Sequence, residues 1–248
     1  MGFDTLSPNG IGLRKMSAHI RTVATTASTN QDMAALAATG EAEGLWLRAE
    51  TQTAGRGRQG RDWVSPPGNL HASTLVRPRV SDPTVATLAL VAAVALHEVI
   101  AAYGAHATIK WPNDLLIDGA KVAGILLEGV AGAVVIGFGV NLAHHPEGLD
   151  RPVTSLAAKP DPGVFLEDLA AAFERWLARW RGEGLGVVRE AWLAAAHRKG
   201  TALSVSQPDG VSLDGLFDGL DADGALILRL ADGSARVIHA GDVFLIPD

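Results

Sequence analysis

The stretch from Gly55 to Gly68 restricts the possible folds more than any other part of this chain. Gly55-Arg56-Gly57-Arg58-Gln59-Gly60 has the spacing Gly-x-Gly-x-x-Gly of a dinucleotide-binding turn. That turn works only when a helix begins directly after the glycines, because the helix N-terminus holds the pyrophosphate. Here the chain continues Arg61-Asp62-Trp63-Val64-Ser65-Pro66-Pro67-Gly68. Proline has no backbone N–H and its ring clashes with the preceding turn, so two in succession followed by glycine cannot carry a helix. A doubly wound dinucleotide fold is thereby excluded. No Gly-x-x-x-x-Gly-Lys-Ser/Thr occurs either, which excludes a Walker-type phosphate loop. What remains is a flexible loop with Arg56, Arg58 and Arg61 in a chain of net charge −6. Taken alone, such a loop is also what a solvated charged turn looks like.

The rest of the pattern supplies the frame for that loop. A chain of 248 residues can bury one substantial core and a small satellite, since domains usually run about 100–200 residues. Asn30 to Ala38 predicts a short helix, capped by Ser28 or Thr29 and ended by Gly40. Leu45–Ala49, Asn69–Val76, Thr108–Trp111, Val122–Glu128 and Val134–Val140 have strand length and apolarity. Ser81-Asp82-Pro83 predicts the start of a long helix that Gly104 stops. Phe165, Leu169, Phe173, Trp176, Leu177 and Trp180 fall at helical spacing and predict a core-facing stripe, with a further helix over roughly Val187 to His197. Strands and helices in this mixed order predict an α+β fold, a mixed sheet flanked by helices. Beyond Lys199 the pattern changes to short strands broken by Pro208-Asp209-Gly210, Asp223-Gly224 and Asp232-Gly233, which predicts a small antiparallel barrel or sandwich. The expected units are 15–198 and 199–248.

Composition excludes several classes of function. Without cysteine there are no disulfides, thiolate nucleophiles or cysteine metal sites, and the cytoplasm is the expected compartment. Met1 to Arg21 has no apolar core of signal-peptide type. Val85 to Ala102 is interrupted by His97 and Glu98, so it reads as a half-buried helix rather than a membrane span. A net acidic chain lacks the basic face of a DNA-binding domain. His144-His145 precedes Pro146 without a third ligand at recognisable spacing and reads as surface.

A second constellation is Lys110-Trp111-Pro112-Asn113-Asp114, followed by Lys121-Val122-Ala123-Gly124-Ile125-Leu126-Leu127-Glu128. Period-two alternation puts the Lys121 side chain beside Ala123, Ile125 and Leu127. A lysine turned inward needs an anion, whereas a lysine at a strand end can snorkel to water.

Four segments together resemble the biotin–protein ligase family: Ser28-Thr29-Asn30; Gln52 with Gly55 to Trp63; Lys110 to Asp114 with Lys121 to Leu126; and Gly137-Phe138-Gly139-Val140-Asn141. The similarity runs from roughly Thr25 to Ser155, and the region after Gly200 is similar to the family's small C-terminal SH3-like barrel. The resemblance implies a class II aminoacyl-tRNA-synthetase-like catalytic fold. It also implies a ligase that activates biotin with ATP as biotinyl-5′-AMP and transfers it to a lysine of a biotin carboxyl carrier protein of acetyl-CoA carboxylase or a related carboxylase. That reaction brings a carboxylate against a phosphate, and fixed cations are the remedy for two anions in a site that excludes water.

By resemblance, Arg56 and Arg58 close around biotin and phosphate, and Lys121 sits between the biotin carboxylate and the α-phosphate. Ser28, Thr29, Asn30, Gln52, Gly55, Gly57 and Gly124 complete the biotin site. Arg61, Trp63, Asn113 and Asn141 serve the nucleotide. Asp114 serves either magnesium, which accompanies ATP, or the incoming lysine amine. Few residues precede Thr25, so a DNA-binding repressor domain is not expected; the relatives implied are monomers or homodimers. Two rivals remain: a lipoate or octanoate ligase of related fold, and a non-catalytic biotin sensor.

Overall fold

The computed structural model describes residues 19–207 and 210–246. The expected domain start at residue 15, most of the Met1 to Arg21 segment, and positions 208 and 209 of the predicted turn lie outside the described residues.

The larger unit contains β1 (His19–Thr26), α1 (Thr29–Ala38), β2 (Leu45–Gln52), β3 (Leu70–Val76), α2 (Leu88–Ala102), β4 (Thr108–Lys110), β5 (Asp114–Ile117), β6 (Ala120–Val130), β7 (Ala133–Val140), α3 (Pro162–Glu183) and α4 (Leu185–Ala195). Its strands form one sheet in the order β1-β2-β3-β7-β6-β5-β4. β1 runs parallel to β2, and all other neighbours are antiparallel. The sheet is therefore mixed and flanked by helices, as the sequence predicts.

Each face of the sheet has its own core. On β2 the alternation is direct: Trp46 packs with α2 and α3, while Leu45 and Leu47 pack with Met33 and Ala37 of α1. α2 is apolar nearly all round because it is covered nearly all round, by the sheet, α3 and α4. Val85–Ala102 has the length and apolarity of a membrane span, yet 61% of it is buried inside the molecule. Trp46, Phe138 and Phe173 form an aromatic cluster with centroids 5.4–6.1 Å apart, locking α3 onto the sheet. The fully buried Trp180 donates from Nε1 to Thr87 Oγ1 at 2.9 Å, so its one polar atom is satisfied.

Three expectations are corrected here. α2 starts at Leu88, not at Ser81-Asp82-Pro83, because the Asp82 carboxylate is engaged by Arg79 N and by Arg181. Trp176 is half-buried rather than core: it donates to Glu98 Oε2 at 2.8 Å and carries the Arg179 guanidinium 4.7 Å above its ring. β1 and β5 are strands that the apolar pattern did not mark.

The C-terminal strands are β8 (Ala202–Ser206), β9 (Ser212–Leu220), β10 (Leu226–Arg229), β11 (Ala235–Ile238) and β12 (Asp242–Leu245). They form an antiparallel sheet in the order β11-β10-β9-β8-β12. Trp192 of α4 packs on Phe217 of β9, with centroids 6.4 Å apart. Lys110 Nζ donates to Val243 O at 2.9 Å and Trp111 Nε1 to Gly224 O at 3.2 Å, so the small sheet is fastened to β4 and the turn after it.

Candidate active site

α1 covers only part of its side of the sheet, and the site lies where it stops. On β7 the residues facing that side are Ala133, Val135, Gly137 and Gly139, shrinking to bare backbone as the helix N-terminus is passed. Register aligns Ser73, Gly137 and Leu126 in one row across β3, β7 and β6, and His71, Gly139, Gly124 and Asp114 in the next. This glycine floor, roofed by the loop after β2, bounds a cavity of about 430 Å³. At Gly139 a Cβ would lie 2.4 Å from the Trp63 indole, so glycine is what allows the ring to rest on the floor.

One end of the cavity is polar and uncharged. Ser28 is the N-cap of α1, but its hydroxyl makes no capping bond and has no partner among the described residues. Simple helix capping is therefore not its use. Gln52 Oε1 accepts from Thr29 N at 2.8 Å and Thr29 Oγ1 at 3.1 Å, which turns Gln52 Nε2 toward Ser65 Oγ at 3.0 Å. Asn30 donates to Glu128 Oε2 at 2.6 Å.

The other end is cationic. Asp114 stands between Lys121, at 2.5 Å, and Lys110, at 3.3 Å. Burial would raise the Asp114 carboxyl, but the two ammonium groups outweigh it and hold the group below the usual carboxylate range. Burial pushes the Lys121 ammonium down, against the pull of Asp114. Lys121 Nζ also lies 5.5 Å over the Trp63 ring. Arg58 and Arg61 both reach Asp242 of β12, Arg58 at 3.6 Å, and Arg58 also donates to Gly241 O at 3.1 Å and to Asn113 Oδ1 at 3.4 Å. Arg56 and Arg151 line the cavity without an ion-pair partner among the described residues.

Lys121 reaches this side by a route that alternation does not predict. β5 and β6 pair Leu115 with Ala123 and Leu116 with Lys121, which leaves Val122 unopposed. This one-residue bulge reverses the facing of everything before it. Ala123 and Ile125 enter the core under α2, whereas Lys121 joins Gly124 and Asp114 on the cavity side. The expectation that Lys121 shares a face with Ala123, Ile125 and Leu127 is corrected.

Of the residues singled out in the sequence, Ser28, Thr29, Asn30, Gln52, Arg56, Gly57, Arg58, Arg61, Trp63, Asn113, Asp114, Lys121 and Gly124 line the cavity. Gly55 and Asn141 do not. Gly55 lies beneath the loop, where a Cβ would meet Trp63 O at 2.6 Å, and the Asn141 amide donates to Thr154 O at 3.0 Å, tying down the segment after β7. Asp242, Arg151, Ser73 and Glu128 escaped the reading; the first two lie at the cavity, and the others support Asn30. Magnesium at Asp114 does not fit, because both carboxylate oxygens already face ammonium groups. Among the described residues no cluster of three His, Asp or Glu side chains is placed to hold a metal. His144 and His145 are exposed, as expected.

Residues 23–141 match the Biotin/lipoate A/B protein ligase family, and residues 205–246 match the Biotin protein ligase C terminal domain. The fold is similar to the biotin protein ligase of Aquifex aeolicus solved with biotin and ATP, with a TM-score of 0.82 at 22% identity over 93% of this chain and 99% of that one. The biotin–[acetyl-CoA-carboxylase] ligase of Mycobacterium tuberculosis is 35% identical over 97% of this chain and 92% of its own length. That of Paracoccus denitrificans is 41% identical over 90% of this chain and 98% of its own. With likeness of that degree along both sheets, this chain belongs to the biotin protein ligase family.

Proposed function

We propose that this chain is an ATP-dependent ligase that activates biotin as biotinyl-5′-AMP and transfers it to a lysine of the biotin carboxyl carrier domain of acetyl-CoA carboxylase. The observation that carries this reading is the polarity of one cavity: uncharged hydrogen-bonding groups at Ser28, Thr29 and Gln52, a bare glycine floor, then Lys121 with the loop arginines. A urea head, an apolar chain and a carboxylate to be joined to phosphate follow that order. The C-terminal match favours biotin over lipoate.

In the first step a biotin carboxylate oxygen attacks the α-phosphorus of ATP and pyrophosphate leaves. To Lys121, at the cationic end of the cavity, we assign the holding of both anions and the offset of the charge that builds between them, an effect strengthened in a dry cavity. Asp114, itself in the cavity lining, positions Lys121 through their ion pair. Arg56 has no ion pair among the described residues to give up before meeting phosphate, while Arg58 and Arg61 must exchange Asp242 for it. In the second step the acceptor lysine amine attacks the mixed-anhydride carbonyl, forming the amide and releasing AMP. ATP would bring its own magnesium as part of the substrate, to supply charge screening of the phosphates; no residue here is assigned to it. A cytoplasmic setting is supported by the absence of cysteine.

Incubation of the chain with ATP, biotin and an unmodified carrier domain, read with avidin, tests the proposal. Avidin-reactive carrier is expected, with no modification when lipoate replaces biotin. A carrier that stays unmodified while the chain binds biotin would leave the sensor reading in its place.

A further inference from the structure

We propose that Glu128 is a positioning residue that, through Asn30 and the buried Ser73, fixes the direction of the hydroxyl protons at the biotin-reading end and makes Thr29 an acceptor only. The inference rests on the assignment of Ser28, Thr29 and Gln52 to the biotin head.

A carboxylate accepts hydrogen bonds and cannot donate. The 2.6 Å contact to Glu128 Oε2 therefore requires the amide nitrogen of Asn30 on that side, whichever way the amide would otherwise turn. Its Oδ1 must then face Ser73 Oγ, at 2.6 Å. Asn30 has little freedom to escape this: it lies flat on β7, and a Cβ at Gly137 would fall 2.2 Å from Oδ1. Ser73 is 0% exposed and has one proton, which the amide oxygen takes. Ser73 Oγ is also 2.7 Å from Thr29 Oγ1. With the Ser73 proton committed, the Thr29 proton goes either to Ser73 Oγ or to Gln52 Oε1, which is 3.1 Å away. In both cases Thr29 shows only lone pairs to the cavity. Ser28 keeps a free hydroxyl beside it. The pair reads an N–H next to a carbonyl, and a ligand with oxygen in place of that N–H would set acceptor against acceptor. Without the Glu128 carboxylate the Asn30 amide can turn, Ser73 can donate to Thr29, and the Thr29 proton is released toward the ligand.

The test compares biotin with the cyclic carbamates in which one ureido N–H is replaced by oxygen, by calorimetry and by steady-state adenylation. In Glu128→Leu the preference for biotin over the disfavoured carbamate should fall about tenfold, the discrimination of one hydrogen bond, with kcat and the KM for ATP unchanged. Glu128→Gln, whose amide can donate as well as accept, no longer dictates the facing of Asn30 and should narrow the preference part of the way. Ser73→Ala, which removes the relay itself, should also narrow the preference. Thr29→Val is the control for the underlying assignment and should weaken biotin binding. If Thr29→Val weakens it while Glu128→Leu and Ser73→Ala leave the preference intact, the proton-order proposal fails alone. If Thr29→Val has no effect, the assignment of the biotin end fails and takes the proposal with it. Equal loss of affinity for biotin and carbamate in Glu128→Leu would show a merely structural role and would overturn the proposal.

Discussion

Replacing Asp114 by asparagine keeps the side-chain shape but leaves Lys121 and Lys110 facing each other without the carboxylate between them. Asp114 and Lys121 are 13% and 14% exposed at the side chain, so water can do little to compensate. At 2.5 Å and an effective dielectric constant of about 20, the gross attraction is roughly 7 kcal/mol. Removing one partner of such a buried pair usually costs about 3–5 kcal/mol, because the other charge stays buried. For a chain of this size each kcal/mol lowers Tm by about 2–4 °C, so Asp114→Asn should melt about 6–20 °C lower by calorimetry. Burial already pushes the Lys121 ammonium down and Asp114 is the main force opposing it. Its loss therefore lets Lys121 release its proton at lower pH. If Lys121 acts in its charged form, as proposed, the alkaline limb of the pyrophosphate-release profile should move to lower pH in the variant. Adding Lys121→Met to Asp114→Asn removes the stranded charge and should recover most of the lost Tm without recovering activity. A variant that melts within about 2 °C of the parent with an unshifted alkaline limb would refute the claim that Asp114 sustains the charge on Lys121.

Lys121→Ala should slow pyrophosphate release by about 10²–10³-fold, the usual effect of deleting one group that stabilises developing charge, and Lys110→Ala by much less; equal losses would reassign the reacting lysine. Gly139→Ala forces the Trp63 indole off the cavity floor, and should shift tryptophan emission to longer wavelength; an unchanged spectrum would mean that the ring does not rest there in solution. Asp242→Asn should speed tryptic cleavage after Arg58 and Arg61 in the empty enzyme, with protection returning on addition of biotin and ATP; cleavage as slow as in the parent would show that β12 does not hold the loop.

The sequence carried the polar and cationic residues of the site because they are clustered in short motifs, but it did not carry their partners. Asp242 is 181 positions from Arg61 and meets it only because Lys110 and Trp111 fasten the second sheet to the first. Ser73 looks like any small residue in an apolar strand until the register sets it beside Gly137. β1 was missed because it is an edge strand with only Ile20 and Val23 turned toward apolar neighbours, and β5 because its four residues merge with the turn before them. The helix expected from Ser81-Asp82-Pro83 failed for a similar reason: Asp82 is drawn into an ion pair with Arg181 of α3, a contact that no local pattern reveals. Propensity and periodicity describe a segment's own preferences, and tertiary partners overrule them where a charge has somewhere better to go.

The unopposed Val122 makes the β5–β6 hairpin a counting device. Which side of the sheet receives the ammonium is a matter of parity, so residue identity at position 121 is not enough to place it. Deleting Val122 would remove the bulge and leave Lys121 two residues before Gly124, so plain alternation would then keep the ammonium on the cavity side. Deleting Val122 and Ala123 together would set the lysine directly beside Gly124 and so aim it under α2, toward Leu115 and Ile125. Among related chains, loss of the one bulged residue should therefore be tolerated, and a chain that lacks two between the lysine and the glycine should carry its phosphate-facing cation on some other element.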